Sequence, residues 1–341
     1  MKRTLSTALA AILSLLLLAG CGSNSQDSDN GEQTGSGEVA LTMTCVGTEQ
    51  GIDYITSQKF AELVSEKSDG QIAITVYGND QLANGDSNKA MSMLATGQVD
   101  LGSYACSVLA NLNPGMGVCT LPFVFDSYDA VNEYYQGTAG EHCQSLMADT
   151  GIVWLDYTHN ALRQLSNSKR EIHSPEDMAN LKIRIPGGTV FSEIWACLPA
   201  DARAMSWSEV FTALQQGTLD GQENGFKTSQ SNSIQDVNKY FTVWNYVYDA
   251  YPLLMNQGSF DRLSEEQQGI IMEAAKEACE WSRAWCEEEE ANIISEFTDA
   301  GVTVTYLTEE ELAVFKEMVQ PVIDKYRDEF GAEAYAAFGI E

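Results

Sequence analysis

The sequence predicts an α/β protein of two domains. Two observations point there. Strand-like and helix-like stretches alternate along most of the chain, and 341 residues exceed one ordinary core and suit two α/β domains. Val39–Val46 alternates apolar and polar residues, as a half-buried strand does. Asp53 to Lys67 reads as an amphipathic helix with Ile55, Phe60, Leu63 and Val64 inward, and Gln71–Tyr77 as the next strand. Asn88–Thr96 is a helix stopped by Gly97, followed by a strand over Val99–Tyr104. Tyr128 to Thr150 is mostly helical, and Ile152–Tyr157 is a strand. This β-α-β-α order predicts a largely parallel sheet.

A second alternating set runs from Leu162 to about Val247. In it, Leu181–Ile185 places apolar residues at odd positions and charges at even ones, so Lys182 and Arg184 share a strand face. Pro186-Gly187-Gly188 ends that strand and leaves Arg184 near its C-terminal end, where α/β proteins gather small ligands. Ser206-x-x-Glu209 fits a capping box for a helix from Trp207 to about Gln216, ended by Gly217, with Val210, Phe211 and Leu214 buried. Trp207 then holds the first helical position, where free N–H groups favour anions. The later chain is more helical. Ser264-x-x-Gln267 caps a helix reaching to Phe297, with a stripe of Ile270, Ile271, Ala274, Ala278, Trp281 and Trp285. Glu287–Glu290 reads as a solvated face. Val302–Tyr306 is a short strand, and Thr308-x-x-Glu311 caps a last helix interrupted near Pro321.

The N-terminus is a targeting segment. Lys2 and Arg3 precede an apolar run, Leu5 to Ala19, too short to span a bilayer, which takes about 20 residues. Leu18-Ala19-Gly20-Cys21 resembles a bacterial lipoprotein box, implying removal of residues 1–20 and a lipid on Cys21. Residues 21–38 are polar and read as a flexible tether. The expected location is outside the cytoplasmic membrane, in a periplasm or on a cell surface. With 49 acids against 19 bases the formal charge is −30, which excludes non-specific nucleic-acid binding and obliges any anionic ligand to find a strong local cation. Besides Cys21 there are seven cysteines, an odd number, none in a Cys-x-x-Cys; most read as small buried hydrophobes.

Three histidines without metal-ligand spacing, and the absence of G-x-S-x-G, P-loop and G-x-G-x-x-G motifs, leave no catalytic constellation and no sign of a cofactor or metal. What remains is a recognition kit led by Arg184, whose guanidinium can fork onto a carboxylate. Glu49, in the loop after the first strand, is a further candidate for a ligand hydroxyl or cation, against its ordinary reading as a surface acid. Lys89, at the start of its helix, is another, against that of a solvated lysine.

The run Glu209-Val210-Phe211-Thr212-Ala213-Leu214-Gln215-Gln216-Gly217-x-x-Asp220-Gly221-Gln222-Glu223-Asn224 resembles the signature of solute-binding subunits of tripartite ATP-independent periplasmic (TRAP) transporters, the DctP family. Leu181-Lys182-Ile183-Arg184-Ile185-Pro186 and Leu121-Pro122-Phe123-Val124-Phe125 are similar to the same family. The resemblance implies a two-domain, periplasmic-binding-protein-like fold of type II. Its lobes would be 39–160 plus about 250–288 and 161–249 plus about 289–341, with a ligand cleft between them and a long helix spanning both. It implies that Arg184 and Arg163 bind a carboxylate, Asn224 bonds the ligand, Glu223 holds a site arginine, and Trp207 stands where many members carry Phe. Relatives carry an arginine near Lys89, with a local spacing different from this one. The implied function is capture of an organic acid and delivery to TRAP integral membrane subunits, without enzymatic activity. A receptor presenting the same ligand to a sensor kinase is the alternative.

Overall fold

The computed structural model describes residues 38–341. The expected signal segment, Cys21 and all but the last residue of the tether lie outside them. Two mixed sheets form the frame. The first is built from β1 (Val39–Cys45), β2 (Ile72–Tyr77), β3 (Leu101–Ser103), β4 (Ile152–Leu162) and β10 (Tyr248–Asn256), in the order β2-β1-β3-β10-β4. The second contains β5 (Gln164–Asn167), β6 (Lys182–Ile185), β7 (Asp201–Ala204), β8 (Gly221–Asn224), β9 (Tyr240–Val243) and β11 (Thr303–Tyr306), in the order β11-β9-β5-β8-β6-β7.

The expectation of a largely parallel sheet needs correction. β1 pairs in parallel with β2 and β3, but β10 runs antiparallel to both its neighbours, and so does β5 in the second sheet. The cause is that the chain crosses between the sheets. β4 leaves the first sheet and enters the second as β5 after one residue, Arg163, whose amide bonds the Val247 carbonyl at 2.8 Å. The chain returns from β9 through Trp244–Val247 into β10, alongside β4 and in the opposite sense. A strand pattern read from one sequence carries no sign of that reversal.

Helices α1 (Ile52–Lys67), α2 (Ser87–Ala95), α3 (Cys106–Leu109), α4 (Tyr128–Tyr135) and α5 (Thr138–Ala148) accompany the first sheet. The Tyr128–Thr150 stretch is thus two helices, parted at Gln136 and Gly137. Helices α6 (Thr189–Ala196), α7 (Trp207–Gln215), α8 (Phe226–Ser231) and α9 (Ile234–Val237) accompany the second. The short α10 (Gln257–Asp261) precedes α11 (Glu265–Asp299), which opens with the expected Ser264–Gln267 capping box. At about 1.5 Å per residue α11 is roughly 50 Å long. Its Ile271, Ala274, Ala275, Ala278 and Cys279 pack in the core under the first sheet, while Ile293 and Phe297 pack with Phe226 and Phe241 under the second.

Two further expectations along α11 fail. Trp281 points outward at 39% exposure and stacks on Trp285, because Ser282, Arg283 and Cys286 take the inward positions toward β4. Glu287 and Glu290 are not simply solvated: Glu287 bonds His159 and Asn132, and Glu290 accepts from the Tyr128 hydroxyl at 2.8 Å. Helix α12 (Glu309–Ala337) opens with the expected Thr308–Glu311 capping box. Its break falls at Gly331 (φ 83°, ψ 163°), not at Pro321. Pro321 sits on the solvent side, where the carbonyl it leaves unbonded is hydrated at little cost, whereas a positive φ with extended ψ suits only glycine. Among the described residues no helix is long and apolar enough to cross a membrane. All seven cysteines there are free, and six are buried.

Candidate functional site

A cavity of about 250 Å³ lies between the two sheets. Three structural units supply its lining. The crossing strands give Asn160, Arg163 and Tyr251; the second sheet and the start of α7 give Arg184, Met205, Ser206, Trp207 and Asn224; α2, α3 and the turn after α3 give Ser87, Asn88, Ser107, Val108 and Asn111.

Arg184 is placed by strand alternation. Ile183 and Ile185 enter the core on one face of β6, so Arg184 occupies the other, 5% exposed. Among the described residues only Nε of its five N–H donors has a partner, the Met205 carbonyl at 2.9 Å. Its Cζ lies 5.2 Å from the centre of the Trp207 ring. Burial, reinforced by the like charge of Arg163 and only partly opposed by Glu223, lowers its pKa to about 10. A guanidinium thus faces the cavity with both terminal nitrogens unbonded.

Arg163 is the opposite case. Its Nε and Nη2 meet Glu223 at 2.5 and 2.8 Å, Nη2 also bonds the Glu223 carbonyl, and Nη1 bonds Asp249 at 3.0 Å. Burial alone would lower its pKa; Glu223 and then Asp249 outweigh burial and raise it. Glu223, fully buried, also accepts from the Tyr246 hydroxyl at 2.6 Å. It therefore stands behind the cavity and orients Arg163 without lining the cavity itself. Asp249 is held in turn by the Ser107 amide and hydroxyl at 3.2 and 2.7 Å.

The Asn224 side-chain oxygen accepts from the Gly225 amide at 3.0 Å, leaving its NH₂ without a protein partner. Trp207 begins α7 as expected, but the Ser206–Glu209 capping box does not form. The Glu209 amide bonds the Ser206 backbone carbonyl at 3.2 Å, which frees the Ser206 hydroxyl at the cavity edge. Phe211, expected buried, is half-buried, and Ala213 takes the inward position. Glu49 and Lys89 are exposed and line no part of the cavity; its wall there is made by their neighbours Val46, Ser87 and Asn88. Sequence reasoning missed Asp249, Asn160, Tyr251 and Ser107. Asp249 carried a readable signal, a lone acid inside the apolar run Tyr246–Leu254, which demands a buried partner. Ser107 carried none. Among the described residues no cluster of His, Cys, Asp and Glu is arranged to hold a metal ion.

Two sheets joined by crossing strands, with a cation-floored cavity between them and a helix spanning both, define a two-lobed solute-binding protein. The chain belongs to the DctP family, described as bacterial extracellular solute-binding protein, family 7, whose model matches residues 45–329. It is a solute-binding subunit of the TRAP type. It is 30% identical to the C4-dicarboxylate-binding periplasmic protein DctP of Rhodobacter capsulatus over 284 residues, 82% of this chain and 84% of that one. It is also 30% identical over 277 residues to an uncharacterized protein of Sinorhizobium fredii, of whose length it spans half. Among solved structures it resembles a TRAP periplasmic solute-binding protein of Ralstonia eutropha with bound (S)-2-acetolactate (TM-score 0.85, 27% identity, 88% and 98% of the two chains). It also resembles the sugar-acid-binding protein of Advenella mimigardefordensis in complex with galactonate (TM-score 0.84, 26% identity, 89% and 97%).

Proposed function

We propose that the protein captures a small organic acid outside the cytoplasmic membrane and delivers it to the integral membrane subunits of a TRAP transporter. The observation that carries this reading is Arg184. A buried guanidinium with two unbonded terminal nitrogens facing a cavity is unfavourable unless an anion arrives to fork onto it. Asn224 adds a directional amide donor, the indole of Trp207 an apolar wall, and Arg163, fixed by Glu223, a rigid floor. Binding works by closing lobe I (39–160 and about 250–288) onto lobe II (161–249 and about 289–341). Closure removes water and strengthens each polar contact. The lipoprotein box ending at Cys21 and the tether to residue 38 would leave the receptor on a lipid leash.

Calorimetric titration of variants tests the clamp. Arg184→Ala is expected to cost about 2–5 kcal/mol of ligand binding. Arg184→Lys is expected to bind poorly too, since a point charge cannot reproduce the fork. Unchanged affinity in both variants would refute it.

A further inference from the structure

The cavity is asymmetric in charge. Of its two lining cations, Arg163 is already engaged by two carboxylates, Glu223 and Asp249. That leaves Arg184 as the one cation in the lining with no protein carboxylate bonded to it. The opposite wall, formed by the start of α2 and by α3, brings no cation at all. Lys89, the nearest lysine in sequence, is exposed and outside the lining. Acids stand behind this wall instead. Asp80 is buried and accepts from the hydroxyl of cavity-lining Ser87 at 2.6 Å, and Asp249 accepts from Ser107. A ligand anchored on Arg184 by one carboxylate therefore extends toward a wall that is uncharged on its surface and acidic beneath. Asn88 and Asn111 on it are solvent-exposed in this structure, so closure over the ligand would desolvate a second carboxylate there without a counter-charge.

The same wall does offer neutral partners. Asn111 donates to the Asn88 side-chain oxygen at 3.1 Å, which leaves the Asn88 NH₂ as a free donor and the Asn111 oxygen as a free acceptor. Beside that wall, the hydroxyl of Tyr251 on crossing strand β10 has no hydrogen-bond partner among the described residues and can do either. Hydroxyl and keto groups match this set, because a hydroxyl both donates and accepts. Resting on the carboxylate-clamp reading above, we infer that this cavity selects monocarboxylates bearing hydroxyl or keto groups and discriminates against dicarboxylates. Asn88 and Asn111 read the neutral end, and Arg184 reads the carboxylate.

The test is titration calorimetry of the purified protein against five probes: glucuronate and galactonate as hydroxylated monocarboxylates, succinate and tartrate as dicarboxylates, and galactose as a neutral polyol. The expected result is binding of at least one monocarboxylate, with both dicarboxylates weaker by about 100-fold or more. A dicarboxylate bound within tenfold of the best monocarboxylate overturns the selectivity while leaving the Arg184 clamp standing. Binding of no acid, or of galactose as tightly as of glucuronate, overturns the clamp itself. The variant Asn88→Lys places a cation on the neutral wall. A gain of at least tenfold in tartrate affinity supports the charge asymmetry; no gain in the folded variant overturns it.

Discussion

Replacing Arg184 by methionine separates binding from stability in an unusual direction. The side chain is 5% exposed and its pKa is lowered from 12.5 to about 10, chiefly by burial. At about 1.36 kcal/mol per unit, the unliganded protein carries a penalty of roughly 3 kcal/mol. The folded-state value lies below the unfolded one, so the penalty is complete below pH 10 and is relieved only as the pH rises through 10 toward 12.5. Methionine removes the charge and keeps most of the apolar stem. It also forfeits the charged bond to the Met205 carbonyl, worth about 1.5–3 kcal/mol, and the stacking on Trp207, worth about 0.5–1 kcal/mol. The terms nearly cancel, so unliganded Arg184→Met should unfold in urea within about 1 kcal/mol of the parent. Ligand should act differently. At one hundred times its Kd a ligand stabilises the parent by about 2.7 kcal/mol. A loss of about 2–5 kcal/mol in affinity would cut that response, at the same concentration, below about 1 kcal/mol. Urea unfolding with and without a bound acid measures both quantities. Loss of more than about 3 kcal/mol in the unliganded state with the ligand response intact would make Arg184 a structural residue and refute the reasoning.

Glu223→Gln should do the reverse. It removes one partner of a fully buried pair while Asp249 still faces Arg163, so a destabilisation of about 2–4 kcal/mol is expected in urea, with ligand affinity also reduced. Asp53, buried at the start of α1 and bonded by the Gly47 amide at 2.6 Å, has its pKa raised from 3.8 to about 6, foremost by burial. The folded state holds that proton more tightly, so its contribution to stability is present below pH 3.8 and lost as the pH rises to about 6. Relative to Asp53→Asn, the parent should lose roughly 2 kcal/mol between pH 4 and 6.5, and parallel pH–stability curves would contradict this. Ligand should also compact the protein, and small-angle scattering showing the same radius of gyration with and without a saturating acid would contradict closure.

Much of this architecture could be read from the chain, because local patterns carried it. The alternation at Leu181–Ile185 put Arg184 on the face away from the core, and the capping boxes at Ser264 and Thr308 marked the starts of α11 and α12. The reading failed where tertiary contacts decided. Ser206 has the residue pattern of a cap, yet the backbone closes that turn. Trp281 looked like part of a buried stripe because it is large and apolar, but the crowded approach of α11 to β4 admits Ser282 and Cys286 instead, while Trp285 is half-buried against Ile52 and Tyr251. The reversed strands β5 and β10 were invisible, since direction depends on where the partner lies. Asn88 and Ser107 reach the cavity only because α2 and α3 begin there, and neither has a distinctive neighbourhood in the sequence.

The crossing strands explain why the two arginines behave so differently. Asp249 lies opposite Ala161 in the β4–β10 register, and Arg163 follows two residues later, so their ion pair spans the two chain segments that connect the sheets. Arg163 therefore sits at the crossing, and its charge is spent on tying the two crossing segments to each other. Arg184 belongs to the second sheet alone and keeps its charge free. Near the cavity, direct bonds between the facing walls include Ser208 to the Gly85 carbonyl at 3.3 Å and Thr48 to the Ser231 carbonyl at 3.4 Å. Both are long and at least partly solvated, so each contributes no more than about 1 kcal/mol. Thr228 to Asn160 at 3.0 Å and an apolar core shared by both sheets also join the two halves, so what a ligand adds is a bridge from Arg184 to the α2 wall. A ligand can supply that only through contacts it makes in the closed form and not in the open one. On the proposed reading the rigid floor and the unpaired guanidinium are complementary: one ties the crossing strands together, and the other keeps a cation free for an anion.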